Sequence, residues 1–167
     1  MITKSLTSLS NDDNFGRSVA VWGDTVVVGA YGYKGTDGLV YVYTRSTLTG
    51  TWTLTQTLTS VTGPNSQFGY SLSLFNQTLA VGAPGRFDST SIVNNTGSVY
   101  SYQFDPISSQ WTLNQSIPSP AGDNSYFGVT VELSNFRLAI GADGYRKFFD
   151  FNHTASFAYP SYYSSWK

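Results

Sequence analysis

Chemistry that needs a proton carrier or a nucleophile finds little to work with in this sequence. The single histidine, His153, lies inside an Asn-His-Thr sequon in a stretch with no strand pattern, and a solvated loop residue is the simpler account of it. No Gly-x-Ser-x-Gly occurs, so no serine has the strained elbow that would expose it as a nucleophile. The 10 acidic residues are scattered, which leaves the paired carboxylates of a glycosidase without local support. With no cysteine there is no disulfide framework, thiolate nucleophile or thiolate metal site. The glycine-rich segments lack a Walker Lys-Ser/Thr and a strand-to-helix context, so phosphate cradling is unsupported as well. The reading is a non-enzymatic chain, with neither cofactor nor metal.

Residues suited to binding are more orderly. A Gly-Ala pair recurs at 29/30, 82/83 and 141/142, and each copy is followed by a short run: Tyr31-Gly32-Tyr33-Lys34, Pro84-Gly85-Arg86-Phe87 and Asp143-Gly144-Tyr145-Arg146-Lys147. Lys34, Arg86, Arg146 and Lys147, four of the nine cations, fall in these runs beside Tyr31, Tyr33, Phe87 and Tyr145. Aromatic and cationic side chains on loops held by a rigid scaffold are the usual material of a surface for protein or glycan. The competing account is that Gly32, Gly85 and Gly144 serve a required turn while the aromatics cover neighbouring units. The third run continues as Phe148-Phe149-Asp150-Phe151 and reads as a loop that either contacts another chain or covers an open side.

Four sequons stand at Asn76, Asn94, Asn114 and Asn152. Chance alone yields a few in a chain this rich in Asn, Ser and Thr, and their use depends on a eukaryotic secretory route.

These residues must be placed by something, and the sequence supplies it as a repeat. Phe15-Gly16, Phe68-Gly69 and Phe127-Gly128 each precede a Gly-Ala pair by the same step, 14 residues from Phe to Gly (15 to 29, 68 to 82, 127 to 141). Val40-Tyr41 and Val99-Tyr100 precede Trp52 and Trp111 by a constant 11 residues. Fixed internal spacing with variable loops marks one supersecondary unit used several times. Four strands are expected per unit. In the first, Phe15 to Val21 alternates with Val19 and Val21 on one face, and Gly23-Asp24 suits a two-residue hairpin turn. Val26 to Ala30 reads as a strand buried on both faces. Leu39 to Thr44 alternates with Tyr41 and Tyr43 together, and Trp52 to Leu58 completes the unit. Trp52, Trp111, Tyr41 and Tyr100 read as core. No long segment has a helical period.

The units divide the chain into 15–67, 68–126 and 127–167, the last with a truncated fourth strand, behind a 1–14 segment that carries the last strand of a preceding unit. Joined end to end, Trp166-Lys167 followed by Met1 to Leu6 approximates Trp52 to Leu58, so the termini resemble two halves of one strand. The 167 residues suffice for one core, and 40% hydrophobic with 16% aromatic content opposes disorder. A charged fraction of 11%, against the usual ~25%, leaves solubility to Ser, Thr, Asn, Gln and Gly. A net charge of -1 gives no case for nucleic acid or an anionic membrane. No apolar run spans a bilayer, and no signal-peptide core opens the chain; an export signal, if used, was removed or lies elsewhere.

Four strands in ~40–50 residues is the arithmetic of a β-propeller blade. The repeated Phe-Gly and Gly-Ala pairs, with Gly82-Ala83-Pro84 complete, resemble the FG-GAP family, whose best-known members form the integrin α head, and the likeness covers nearly the whole chain. Integrin-like repeats place an Asp-rich calcium loop between the two motifs, where this chain has Trp22-Gly23-Asp24-Thr25, Phe75-Asn76-Gln77-Thr78 and Ser134-Asn135-Phe136-Arg137. One Asp in three turns cannot supply the six to eight oxygens that calcium takes, so the sequence resembles the calcium-free branch.

The expected fold class is therefore all-β, three blades of four antiparallel strands. The resemblance implies an extracellular or cell-surface module that displays loops to a protein or glycan. Three blades do not close a ring, since propellers have ~4–8, so further blades of a longer chain or other copies of this one are expected partners. A self-assembling building block is the alternative function. A hydrolytic or glycan-processing propeller is the third.

Overall fold

The computed structural model describes residues 13–34, 37–61, 65–85, 96–120, 124–135, 137–145 and 147–152, with side chains described as far as residue 144. They form antiparallel meanders. The first sheet is β1 (Ser18–Trp22), β2 (Thr25–Ala30), β3 (Leu39–Arg45) and β4 (Trp52–Thr59), and the second is β5 (Ser71–Phe75), β6 (Thr78–Ala83), β7 (Ser98–Asp105) and β8 (Gln110–Pro118). The third holds β9 (Phe127–Ser134), β10 (Arg137–Ala142) and β11 (Lys147–Asn152), with one 3-10 turn at Asp143–Tyr145. The fold is all-β, built of the four-stranded antiparallel sheets that make propeller blades. The segments expected to share a strand across the termini, 1–7 and 162–167, lie outside the described residues.

Local chemistry explains the elements. Trp22 pairs with Thr25 across Gly23-Asp24, and Phe75 with Thr78 across Asn76-Gln77. Gly23 and Asn76 open these turns at φ 56° and 54°, the left-handed geometry whose twist matches that of the flanking strands. Asp24 is engaged by Arg45, at 2.6 Å from its Nη2. The first strand starts later than its alternation suggests, at Ser18 rather than Phe15, because Arg17 N–H donates to Asn14 O and closes a turn around Gly16. The run Lys147 to Phe151, expected as a loop, is the strand β11. Its backbone pairs with β10 from Ala142–Lys147 to Arg137–Asn152, and its aromatic residues favour a pleated ladder.

The motif phenylalanines of the first two units sit against the tyrosines of their own sheets. Phe15 meets Tyr41 edge-on at 5.2 Å, and Phe68 meets Tyr100 at 5.4 Å and Tyr102 at 6.2 Å. Tyr41, Tyr100 and Trp111 are buried, while Trp52 is half-buried. The sheets stack face to face. Val27, Val40, Val42 and Leu58 of the first meet Leu74, Leu79, Val81, Tyr100 and Trp111 of the second; Ala80, Val99 and Ile117 of the second meet Val131, Leu133 and Leu138 of the third.

What lets them stack so closely is a joint between glycines. Gly69 adopts φ 87° and Gly128 φ 92°, and their carbonyls press onto the Cα of Gly29 and Gly82 in the preceding sheet, so that a Cβ at Gly29 or Gly82 would lie deep inside the carbonyl oxygen. Ser18 Oγ donates to Gly69 O at 2.5 Å, and Ser71 Oγ to Gly128 O at 2.7 Å. Within a unit Gly16 N–H donates to Gly29 O and Gly69 N–H to Gly82 O. The Phe-Gly and Gly-Ala pairs are therefore two halves of one contact, repeated along the stack. At the outer edge Gln56 of β4 grips the backbone of Trp111 in β8 from both sides, donating to its carbonyl at 2.9 Å and accepting its N–H at 2.7 Å.

Two outcomes follow for stability. Gly82→Ala should cost about 3 kcal/mol, since the Gly128 carbonyl that the new Cβ would meet is backbone and cannot swing away; a denaturant titration of both chains measures it. The second concerns alkali. Burial first, and then the neighbouring Tyr100, hold the Tyr102 phenol far above its ordinary value. A pKa raised by folding contributes stability that is complete below the unfolded value, ~10, and is lost as pH climbs from there toward the folded one. Urea midpoints should hold level through neutral pH and fall above about pH 10, and Tyr102→Phe should flatten that fall.

Candidate functional site

Strand direction sorts the loops onto two ends. The hairpins at 23–24 and 76–77, with the tips at 46–51 and 106–109, lie at one end; the Phe-Gly turns and the runs that leave the Gly-Ala pairs lie at the other. A hydrogen bond ties each run to the Phe-Gly turn of its own unit: Gly32 N–H to Asp13 O, Gly85 N–H to Ser66 O, and Gly144 N–H to Ser125 O. A Cβ on Gly85 would overlap Gln67, and one on Gly144 would overlap Asn124 O. Gly144 is therefore held to glycine by backbone, whereas the Gln67 side chain beside Gly85 could swing away.

On that scaffold Tyr31, leaving the first sheet, packs on Tyr70, which follows the Phe-Gly pair of the second sheet, with ring centroids 5.1 Å apart and planes at 58°. Arg17, from the first sheet's Phe-Gly turn, holds its guanidinium carbon 5.7 Å from the centroid of Tyr70. Lys34 Nζ stands 5.6 Å from the Tyr33 ring, and Tyr33 packs on the core of the first sheet. Tyr31, Tyr33 and Tyr70 are half-buried while Arg17 and Lys34 are exposed. Tyr126 in the third sheet's Phe-Gly turn is exposed and held at φ 50°, the left-handed geometry that Asn14 (φ 57°) and Gln67 (φ 53°) take at the same place in the other units, so it belongs to the turn that every unit makes.

Of the residues picked from sequence, Tyr31, Tyr33 and Lys34 thus come together on one end. Arg86, Phe87 and Arg146 lie outside the described residues, as does His153. Tyr145 falls in the 3-10 turn and Lys147 opens β11, with side chains outside the described set. Arg17, Tyr70 and Tyr126 were not singled out from sequence. Arg17 and Tyr70 hold the same place, one after the Phe-Gly pair, and laying the copies over one another would have shown an unusual cation and aromatic there. Among the sequons, Asn76 is exposed in its turn at the opposite end and Asn114 is exposed on β8; Asn94 is outside the described residues and Asn152 closes β11.

The cluster offers two tyrosine faces and edges for an apolar or sugar surface and one cation, Arg17, for an anionic group, while Lys34 stands apart beside Tyr33. A guanidinium beside a tyrosine ring keeps its donors in water while gaining cation–π attraction, worth ~0.5–1 kcal/mol at an exposed site.

A family model described as the FG-GAP repeat matches residues 9–43 and 52–102, a span holding the first two pairs of motifs and most of the Arg17–Tyr70–Tyr31 cluster's surroundings. No curated protein matches the chain.

If Tyr31 and Tyr70 interact as the rings indicate, a double-mutant cycle with Tyr31→Ala and Tyr70→Ala should return a coupling of ~0.5–1.5 kcal/mol. Each single variant should cost less than Phe68→Ala, for which ~3–5 kcal/mol is expected.

Proposed function

We propose that this chain, which belongs to the FG-GAP repeat family, is a display module whose Phe-Gly end binds a protein or glycan outside the cell. The family supplies a β-propeller-like module frequent in extracellular binding proteins, typically non-enzymatic, and FG-GAP repeats are typical of extracellular or cell-surface proteins. No helix among the described residues is long and apolar enough to cross a membrane.

The observation that carries the reading is the Arg17–Tyr70–Tyr31 cluster, because it crosses from one sheet to the next at the end where every motif loop emerges. Its geometry is set by the glycine joint beneath it, so the ligand meets a preorganised surface and little side-chain entropy is lost on binding. In this reading Tyr31 and Tyr70 take the apolar or sugar face of the ligand, and Arg17 takes an acidic group such as a carboxylate or sulfate. The Asn76 sequon projects from the opposite end, where a glycan would leave the binding end clear.

Arrays of acidic and neutral glycans and of extracellular-matrix proteins, probed with the intact chain, test this. The expected result is binding to a ligand bearing acidic groups that weakens about tenfold or more, ~1.4 kcal/mol, in Arg17→Ala and in Tyr70→Ala. Binding that both substitutions leave unchanged would place the ligand elsewhere and end this reading.

A further inference from the structure

The joint that binds the sheets together is present in halves at the two outer sheets. Gly29 with Ser18, and Gly82 with Ser71, each receive the carbonyl of the next sheet's motif glycine. Gly141 with Thr130 holds the same place in the third sheet, two residues into the same strand register (Thr130 opposite Gly141 as Ser71 is opposite Gly82). Gly141 is half-buried and Thr130 exposed, and the three atoms nearest a Cβ at Gly141 all belong to Thr130, none to another sheet. At the other end Gly16 has the same left-handed φ, 87°, as Gly69, but a Cβ on it would meet nothing within 4 Å, among the described residues.

The faces around these halves differ in the same way. Leu74 of the second sheet and Val131 and Leu133 of the third, which face the sheet before them, are 7%, 7% and 6% exposed. Val19 and Val21, their counterparts in β1, are 58% and 62% exposed. On the trailing side, Ser73 Oγ accepts Leu133 N–H of the next sheet at 2.9 Å. The residue in the place of Ser73 in the third sheet is Glu132, exposed and with acceptor oxygens, and the residue in the place of Leu133 in the first sheet is Val21.

We propose that a second copy of this chain docks head to tail, with its Val19–Val21 face on the β9–β10 face of the first, its Gly16 carbonyl on Gly141 and Thr130 Oγ1, and its Val21 N–H on the Glu132 carboxylate. The glycine half of the interface is the complement that the chain already uses twice internally, and the Val21–Glu132 half follows a bond it makes once, from Leu133 to Ser73, which makes a second copy a better fit than an unrelated protein. The contact is heterologous, so it ends only by closing on itself; two copies would complete six sheets, within the ~4–8 blades of known propellers. This does not depend on the loop cluster, which lies at one end of the sheets rather than on their outer faces.

The chain has no cysteine, so single cysteines can be placed without background. Glu132→Cys and Val21→Cys chains, mixed and oxidised, should give a disulfide-linked pair of twice 18.2 kDa in high yield, and a Leu48→Cys chain in place of either should not. Light scattering of the unmodified chain should give the same doubled mass. Val19→Thr/Val21→Thr, which keeps side-chain shape and strand preference, should shift it toward the single-chain mass while circular dichroism stays unchanged. A single-chain mass for the unmodified protein at tens of micromolar would overturn the proposal. So would a doubled mass that the valine variant leaves intact, or a cross-link no faster than the Leu48→Cys control, since association would then use another surface.

Discussion

The closest approach in this molecule is backbone on backbone. A motif glycine in left-handed geometry delivers its carbonyl to the Cα of another glycine one sheet earlier, at a place where any side chain would have to occupy the oxygen. Both residue types are dictated, for different reasons. The first needs a positive φ that other residues take only with strain; the second needs no Cβ at all. The serine that caps the carbonyl, Ser18 or Ser71, satisfies an acceptor that packing has removed from water, where an unpaired one would cost ~1–3 kcal/mol.

From that contact the rest of the architecture follows. Sheets held at their inner strands would still hinge about that line. The second attachment, Gln56 gripping both polar groups of the Trp111 backbone in the outer strand, fixes the angle between the first and second sheets. A side-chain amide offers one donor and one acceptor at nearly the spacing of a peptide group, so Gln56 acts as a short piece of strand added across the gap. With inner and outer strands both tied, Tyr31 and Tyr70 on different sheets keep a constant relation, and a cluster that crosses two sheets can behave as one surface.

This division also explains what was legible in the sequence. The 14-residue step from Phe-Gly to Gly-Ala is set by a two-residue hairpin and two strands of fixed length, and the pairing of Val19 with Val28 and Leu72 with Val81 reproduces it in space. The left-handed turn at Gly23 and the joint burial of Tyr41 and Tyr43 are equally local, and both were readable. What escaped was whatever depends on two sheets at once. Arg17 and Tyr70 each follow a Phe-Gly pair, where laying the copies over one another shows them as unusual, but only their meeting across the joint makes them a pair. Gln56 follows Trp52 and Leu54 in a row that alternates with Thr, and nothing in that row says which backbone it reaches. Lys147 to Phe151 resembles a sticky loop because aromatic residues serve contact surfaces and strands equally well; β10 already pairs with β9 on one side, and the run pairs along its other side.

The sparse charge of the chain fits the same logic. Sheets stacked through backbone contacts and aliphatic faces leave few positions where a charged side chain could sit without being buried, and the solvent faces of β4 and β8 carry Thr, Asn and Gln instead. Among the described residues Arg45 and Asp24 pair at the hairpin end, half in solvent, where an ion pair adds ~0–1 kcal/mol at most. Charge is thus not what holds the sheets together. Arg17 and Lys34 instead stand over tyrosine rings at the end where the motif loops emerge, outside the glycine joint, and the Arg17 contact is the feature on which the proposed function rests.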